Sequence, residues 1–450
     1  MHLMRSRDEP YLHTTADRKK GCPRQHDSAE CTDPVHNPAM NLRNGACGAL
    51  LATLPLLGCG PGPSSPDPWL GEIAAVTAPG GAGSQFPHLA GGDPLPVVLS
   101  WLETRPDGTV ALQHATWRDG AWGPPGNVAT GTDWFVNWAD FPSVVPVSAR
   151  HWLAHWLQQR PGNVYSYDVR IAASNDGGRS WSPAGPPHAD GTPTEHGFVS
   201  IFADSGRGRV VWLDGRHTGG GLDHAHAAGA GSMTLRGALL GPDGRVAGAD
   251  AEIDARTCDC CQTDAAVTAD GPVVVYRDRG ADEVRDIALV RLEHGQWSAP
   301  VIVHADGWRV DACPVNGPAV AARGRNVVVA WFTAPDRPRV RVAFSEDAGR
   351  TFSAPLEIGA GDALGRVDVV LLEDGRAVVS WLRQGASGAE ILAQPVDRTA
   401  TRGDSVVVAG TSAQRASGFP QMALADGGLL FAWTEAGAQP RLHTAYATLR

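Results

Sequence analysis

Lysine is nearly missing from this chain: Lys19 and Lys20 are its only two, both close to the start. Everything downstream must work without an amine that forms Schiff bases or acts as a nucleophile. Tyrosine is scarce as well, with 5 residues in 450, so any chemistry that needs a phenol has few places to look. Long apolar runs are missing too. The most sustained, from Ala46 to Cys59, has about half the length a membrane-spanning helix requires. Basic charge does not accumulate, the net charge being −10, and this argues against nucleic acid as a partner. Turn residues, by contrast, abound. Together 54 Gly and 34 Pro punctuate the chain into short segments and predict an all-β protein.

The first 39 residues are polar and aperiodic and contain Cys22 and Cys31. Met40 then opens Met-Asn-Leu-Arg ahead of the apolar run, the layout of a signal peptide over residues 40–58. Residues 1–39 accordingly read as an over-extended gene start. The end of the run, Leu56-Leu57-Gly58-Cys59, resembles a bacterial lipobox, with Leu57 a less usual residue at its place. The resemblance implies a diacylated Cys59 and a protein of the bacterial cell envelope, periplasmic or outer-membrane, that meets the membrane through its lipid alone. Residues 59–69, rich in Gly, Pro and Ser, form a tether that cannot pack. One domain, expected to be monomeric, is predicted over residues 70–450.

That domain is a repeat. An apolar strand ending in an aromatic recurs at Trp101, Trp156, Trp212, Tyr276, Trp331, Trp381 and Trp433, at intervals of 55, 56, 64, 55, 50 and 52 residues. Four short strands per interval near 50 residues predict propeller blades rather than a solenoid. In the fifth copy the strands fall at 318–322, 326–332, 339–345 and 355–358, the second being apolar throughout, as suits a strand covered on both faces. The seventh copy ends after its third strand, and residues 70–76 are the candidate donor of its outer strand. The expected architecture is a seven-bladed β-propeller closed by an N-terminal strand, with six blades as the alternative.

The turns before the outer strands carry a resemblance. Ser174-Asn175-Asp176-Gly177-Gly178-Arg179-Ser180-Trp181 matches the Asp-box pattern Ser-x-Asp-x-Gly-x-x-Trp, and Ser345-Glu346-Asp347-Ala348-Gly349-Arg350-Thr351-Phe352 matches with Phe last. Shorter echoes occur at Asp119-Gly120-Ala121-Trp122, Asp243-Gly244 and His294-Gly295-Gln296-Trp297. In these features the chain resembles the sialidase-like (BNR) superfamily from about residue 70 to its end. The boxes serve the scaffold: Asp accepts backbone hydrogen bonds, Gly takes a positive φ, and the aromatic packs back on the blade. The resemblance implies a carbohydrate or anionic ligand and, in the enzymatic version, an exo-acting glycoside hydrolase with an arginine triad, a tyrosine nucleophile activated by Glu, and an aspartic acid/base. Arg216, Arg277, Arg279 and Arg366 could supply the triad. Sialidases are six-bladed, however, the Arg-Ile-Pro element is absent at Phe86-Pro87, and the candidate nucleophiles Tyr165 and Tyr167 lie earlier in the chain than the family carries its own.

Propellers bind on the loops entering the inner strands and on those joining second to third strands. The first set holds Asp140, Glu195, His196, Asp264, Cys313, Asn316, Arg366 and Asp368; the second holds Asp214-Gly215-Arg216-His217 and Tyr276-Arg277-Asp278-Arg279. Asp214, Arg216 and Asp278 are the catalytic candidates, and the remaining carboxylates, guanidinium groups, His196 and Asn316 are candidates for binding a small polar ligand or glycan. No cofactor is required. Cys258, Cys260 and Cys261 open the fourth repeat and Cys313 the fifth, inside and just after the longest interval. Two disulfides, a Cu or Zn site, or a reactive thiol all suit this cluster, and His196, His224 or His226 could complete a metal site.

Overall fold

In the computed structural model, residues 68–219, 231–399 and 403–450 are described. Cys59, the signal peptide, most of the tether, His224 and His226 lie outside them. Seven antiparallel sheets follow one another along the chain, each built outward from an inner strand. The inner strands are Ser84–Gly92, Ser143–Pro146, His196–Asp204, Asp264–Thr268, Ala319–Arg323, Ala363–Leu371 and Gln421–Ala425. All seven marker aromatics fall in the second strand of their blade, for example Trp331 in Asn326–Thr333 and Tyr276 in Gly271–Arg277. Helix is confined, among the described residues, to one 3-10 turn at Arg415–Ser417. No helix there is long and apolar enough to cross a membrane.

The ring closes as the repeat predicts. Ala74–Val76 pairs antiparallel with the last strand, Arg441–Thr448, in the register Ala74 to Tyr446 and Val76 to Thr444. This supplies the fourth strand of blade 7 and covers an edge that would otherwise be free to pair with another chain. The core is divided into seven apolar clusters, one between each pair of neighbouring blades, such as Val273, Val275 and Leu289 of blade 4 against Val327, Val329 and Trp331 of blade 5. Second strands carry apolar residues on both faces because both faces meet a neighbouring sheet.

The turns divide into two kinds. At residues 174–181 Ser174 Oγ donates to Asp176 at 2.8 Å and accepts from Gly178 N–H at 2.9 Å, while the Trp181 indole N–H returns to the Gly178 carbonyl at 3.2 Å. Residues 345–352 repeat the arrangement, with Ser345 Oγ 2.7 Å from Asp347 and accepting from Gly349 N–H at 2.9 Å. Two of the shorter echoes are built otherwise. Asp119 and Gly120 (φ 51 and 77°), and His294 and Gly295 (φ 53 and 82°), form two-residue hairpin loops with both central residues left-handed, so neither Asp119 nor His294 repeats the serine-aspartate lock.

Candidate functional site

Seven polar stitches join consecutive blades on the face where the chain enters the inner strands, and several expected ligand-binding residues are among them. Thr434 accepts from Phe86 N–H, Ser100 from Val144, Asp140 from Phe198, Asp264 from Val320, Asn316 from Arg366 and Asp368 from Met422, at 2.6–3.2 Å. The seventh, between blades 3 and 4, is the pair Ser200 and Thr263, hydroxyl to hydroxyl at 2.7 Å. Three stitches hold the same irregularity: Phe86, Phe198 and Arg366 each have φ near +55° inside a break of strand register. A non-glycine residue there is strained, and the side-chain acceptor from the preceding blade holds its amide in place. Asp140, Asn316 and Asp368 therefore spend hydrogen-bonding capacity on the scaffold. Burial pushes the carboxyls of Asp140, Asp264 and Asp368 up to about 7 despite those bonds.

Arg366 is a correction of the same kind. It occupies the place of Phe86 and Phe198, and its buried guanidinium bonds the Ser417 hydroxyl and the Gly418 and Gln414 carbonyls while stacking on Trp138 at 4.8 Å. Trp138 stacks in turn on Phe419, and Phe419 meets Phe141. The central channel, a cavity of about 1770 Å³, runs from Asp140, Phe141, Phe198 and Phe419 to the hairpins at residues 91–94, 373–376 and 426–428. Of the expected site residues Asp140, Asp264 and Asp368 line it. The others do not converge on one channel mouth; they sort into separate clusters between blades.

Between blades 2 and 3, Arg216 grips Asp214 through two hydrogen bonds of 2.7 and 2.8 Å and also reaches Asp250 at 3.1 Å. Trp212 N–H donates to the same Asp214 at 2.7 Å. His196 lies 3.2 Å from Asp190, and its ring stacks on His188 with centroids 3.8 Å apart. Asp214 is fully buried and its carboxyl is nonetheless held below the usual carboxylate range: burial works against this, but Arg216, His196 and Trp212 together outweigh it. An aspartate so occupied is a poor catalytic candidate, and the pair Asp214–Arg216 is read as a structural clamp. His188 and Asp190 belong to this network and were not anticipated; their Pro-rich surroundings give no strand pattern that would have marked them.

Between blades 3, 4 and 5 lies the second cluster. Cys258 Sγ is 3.5 Å from Cys261 and 3.9 Å from Cys260, and all four described cysteines are unbridged. Cys313, exposed on the next entry loop, lies on the Cys260 side of the group and helps raise the Cys260 thiol. Arg285, fully buried and absent from the sequence expectations, donates to Cys258 at 3.2 Å. Arg277, another buried guanidinium, donates to the carbonyls of Asn316, Arg285 and Phe332 at 2.7–3.1 Å and stacks on Trp308. It is not exposed to a ligand, which corrects its expected role. Burial alone would raise the Cys258 thiol, but hydrogen bonds from Cys260 and Cys261 and the charges of Arg285 and Arg277 hold it well below the usual thiol range; Cys260 and Cys261 are pushed up by burial.

Half-buried acids rim this cluster. Arg279 bonds Asp259 at 2.8 Å and Glu283 at 2.9 Å. Glu195 is pushed up to about 8 by burial and by the neighbouring Asp140 and Asp259 carboxylates, and Asp278 to about 6, chiefly by burial. Tyr276 is buried in the marker register and donates to Asp254, while Tyr167 is buried against Phe135 with its hydroxyl 3.4 Å from Asp140. Burial raises both phenols well above their ordinary range, so neither is an activated nucleophile.

No protein-family model matches this chain, and no curated protein does. Solved structures do. A protein of unknown function from Dyadobacter fermentans is similar over 85% of this chain and 100% of its own, at 16% identity and a TM-score of 0.50. An α-L-arabinanase of Penicillium chrysogenum complexed with arabinobiose covers 84% of this chain with 98% of its own, at 10% identity and a TM-score of 0.45. A Trypanosoma rangeli sialidase mutant displaying trans-sialidase activity is similar over 73% of this chain and 56% of its own, at 12% identity and a TM-score of 0.44. At these identities the likeness is one of fold.

Proposed function

We propose that the chain is an exported, lipid-anchored propeller of the sialidase-like kind that binds a small polar ligand, carbohydrate or anionic, on the entry-loop face at the rim of blades 3 and 4. One observation carries this reading: the half-buried Glu195, whose carboxyl is raised to about 8 and is therefore largely protonated at neutral pH. A carboxylic acid kept neutral at the surface donates a hydrogen bond to a ligand oxygen that a carboxylate would repel. Asp278, raised to about 6, stands as the second acid of the rim. In the enzymatic version of the reading, these two replace Asp214 as the acid/base candidates of a glycoside hydrolase.

Thermal-shift and calorimetric titrations of the mature chain against monosaccharides, uronic and sialic acids and short glycans test the proposal, each run with the wild type and with Glu195→Gln. A ligand that raises the melting temperature of the wild type, and binds at least tenfold more weakly to the variant, supports it. If nothing binds, or if Glu195→Gln binds equally well, the rim is not the site. Cys59→Ala should release the protein from the membrane fraction; continued membrane retention would remove the lipid anchor from the reading.

A further inference from the structure

We infer that Cys258, Cys260, Cys261 and Cys313 hold one soft, thiophilic d10 cation, Cu(I) or Zn(II), between blades 4 and 5. This goes beyond the ligand reading above and does not depend on it. The first ground is spacing. Three sulfur atoms from one four-residue turn lie mutually within 4.8 Å, with separations of 3.5 and 3.9 Å from Cys258. A disulfide needs sulfurs about 2.05 Å apart. Thiolates sharing a tetrahedral ion at about 2.3 Å stand about 3.8 Å apart along each edge, and the observed separations bracket that value. The neighbouring blade offers a fourth sulfur, Cys313, exposed on its entry loop beside Cys260 but not within 4.8 Å of all three, so the turn itself presents three ligands and Cys313 must close in to supply a fourth.

The second ground is charge. Arg277 is 1% exposed, and among the described residues it makes no ion pair with a carboxylate: its hydrogen bonds there end on main-chain carbonyls. Arg285, 0% exposed, spends one donor on Glu283 and another on the Cys258 sulfur. Buried guanidinium groups need compensating negative charge. Three or four thiolates around a monovalent or divalent ion carry a net charge near −2, which two arginines balance. Arg285 shares Glu283 with Arg279 and Arg277 pairs with no carboxylate, so neutral thiols, or two disulfides, leave the two guanidinium groups short of negative charge. Binding releases the thiol protons to solvent and changes no oxidation state, so the site needs no further reactant. Carboxylates are near but spoken for, Asp259 by Arg279 and Glu283 by Arg279 and Arg285, so the donor set is sulfur, which selects soft ions over Mg²⁺ or Ca²⁺.

The test uses the mature full-length chain, reduced, stripped with chelator and reconstituted separately with Cu(I) and Zn(II) under anaerobic conditions. One equivalent retained through gel filtration, measured by elemental analysis, is expected for at least one of the two ions, together with protection of the cluster from alkylation as mapped by peptide mass. Cu(I) held with Cys313 left alkylatable assigns a three-coordinate site; either ion held with Cys313 protected assigns a four-coordinate one, and both outcomes support the inference. Cys261→Ser should abolish retention. Because a buried substitution can unfold the blade, Cys313→Ser is the second variant: its exposed side chain leaves the melting temperature of the stripped protein unchanged while affinity in chelator competition falls at least tenfold if the site is four-coordinate. Retention of neither ion overturns the inference, as does equal retention by a variant with Cys258, Cys260 and Cys261 all changed to Ser. Recovery of the chain metal-free and with a native Cys258–Cys261 disulfide after aerobic purification, and no metal uptake on reduction, also overturns it.

Discussion

Blades 4 and 5 are neighbours with the same strand order, yet they fill equivalent places with opposite chemistry. In both, the marker aromatic is buried and donates to an aspartate contributed from the outer part of the preceding blade: Trp331 to Asp306 at 2.7 Å, Tyr276 to Asp254. The next residue is Phe332 in blade 5 but Arg277 in blade 4, where the remaining blades have Leu102, Leu157, Leu213, Leu382 and Thr434. Blade 5 turns to its outer strand through the serine-aspartate lock at 345–352, blade 4 through the tight His294-Gly295 hairpin. At this place the other blades need no charged residue. The guanidinium of blade 4 answers to something the repeat does not contain, and the sulfur atoms beside it are the feature the other blades lack.

The sharpest way to break this comparison is to make blade 4 ordinary. Arg277→Leu deletes the donors on which the Asn316, Arg285 and Phe332 carbonyls rely, and leaving buried acceptors unpaired should cost about 3–5 kcal/mol. Phe332→Leu, the matching change in blade 5, should cost about 1 kcal/mol. Urea unfolding of the two variants reads the difference directly. Equal costs would mean that Arg277 is only a large side chain in a leucine position.

The stitches supply a pH test of smaller size. Asp140, Asp264 and Asp368 have folded values near 7, above the unfolded aspartate value, so the folded state binds more protons between about pH 4 and 7. Their contribution therefore favours folding at acid pH and is lost as pH rises through 7. Buried histidines act the other way. His88 and His188 are held near 4 and His155 near 3, chiefly by burial, so the unfolded state binds more protons below about 6.5 and stability falls on acidification there. Between about pH 4 and 6.5 the two sets nearly cancel, and above about pH 6.5 the aspartates alone lower stability. Asp264→Asn keeps an oxygen for Val320 N–H and removes the titration, so its stability relative to the wild type should improve from pH 5 to pH 8 by an amount on the order of a few kcal/mol. A constant difference across that range would show that Asp264 is ionised in the folded protein.

The ring was legible because its signals are periodic: the seven aromatics, the apolar second strands and the strand deficit of the last copy each recur or close a count. The strands expected in blade 5 lie within about two residues of Ala319–Arg323, Asn326–Thr333, Arg339–Ser345 and Leu356–Ala360. The cysteine cluster was legible for the converse reason, as the interruption of a period. What could not be read is which polar residue serves the scaffold. Asp140, Asn316 and Asp368 look like ligand-binding groups in a sequence because a stitch and a binding site draw on the same residue types at the same strand entrances, and only three-dimensional neighbours separate them. Arg285 escaped because a lone arginine before an apolar strand resembles a solvated strand end, and its partner Cys258 is 27 positions away.

The two kinds of turn sharpen the comparison at its finest scale. Ser345 is buried and its Oγ both donates to Asp347 and accepts from Gly349 N–H, so Ser345→Ala should lower stability by about 1–2 kcal/mol. His294 has no such role. It sits at φ 53° ahead of Gly295, a conformation that costs a side-chain-bearing residue energy and glycine little. His294→Gly should therefore change stability by less than about 1 kcal/mol, because relief of left-handed strain is opposed by the entropy glycine gains in the unfolded chain. Thermal unfolding distinguishes the outcomes. A loss at His294 as large as that at Ser345 would mean that the blade 4 turn is held by its side chain after all, and that the two blades differ in their interior alone.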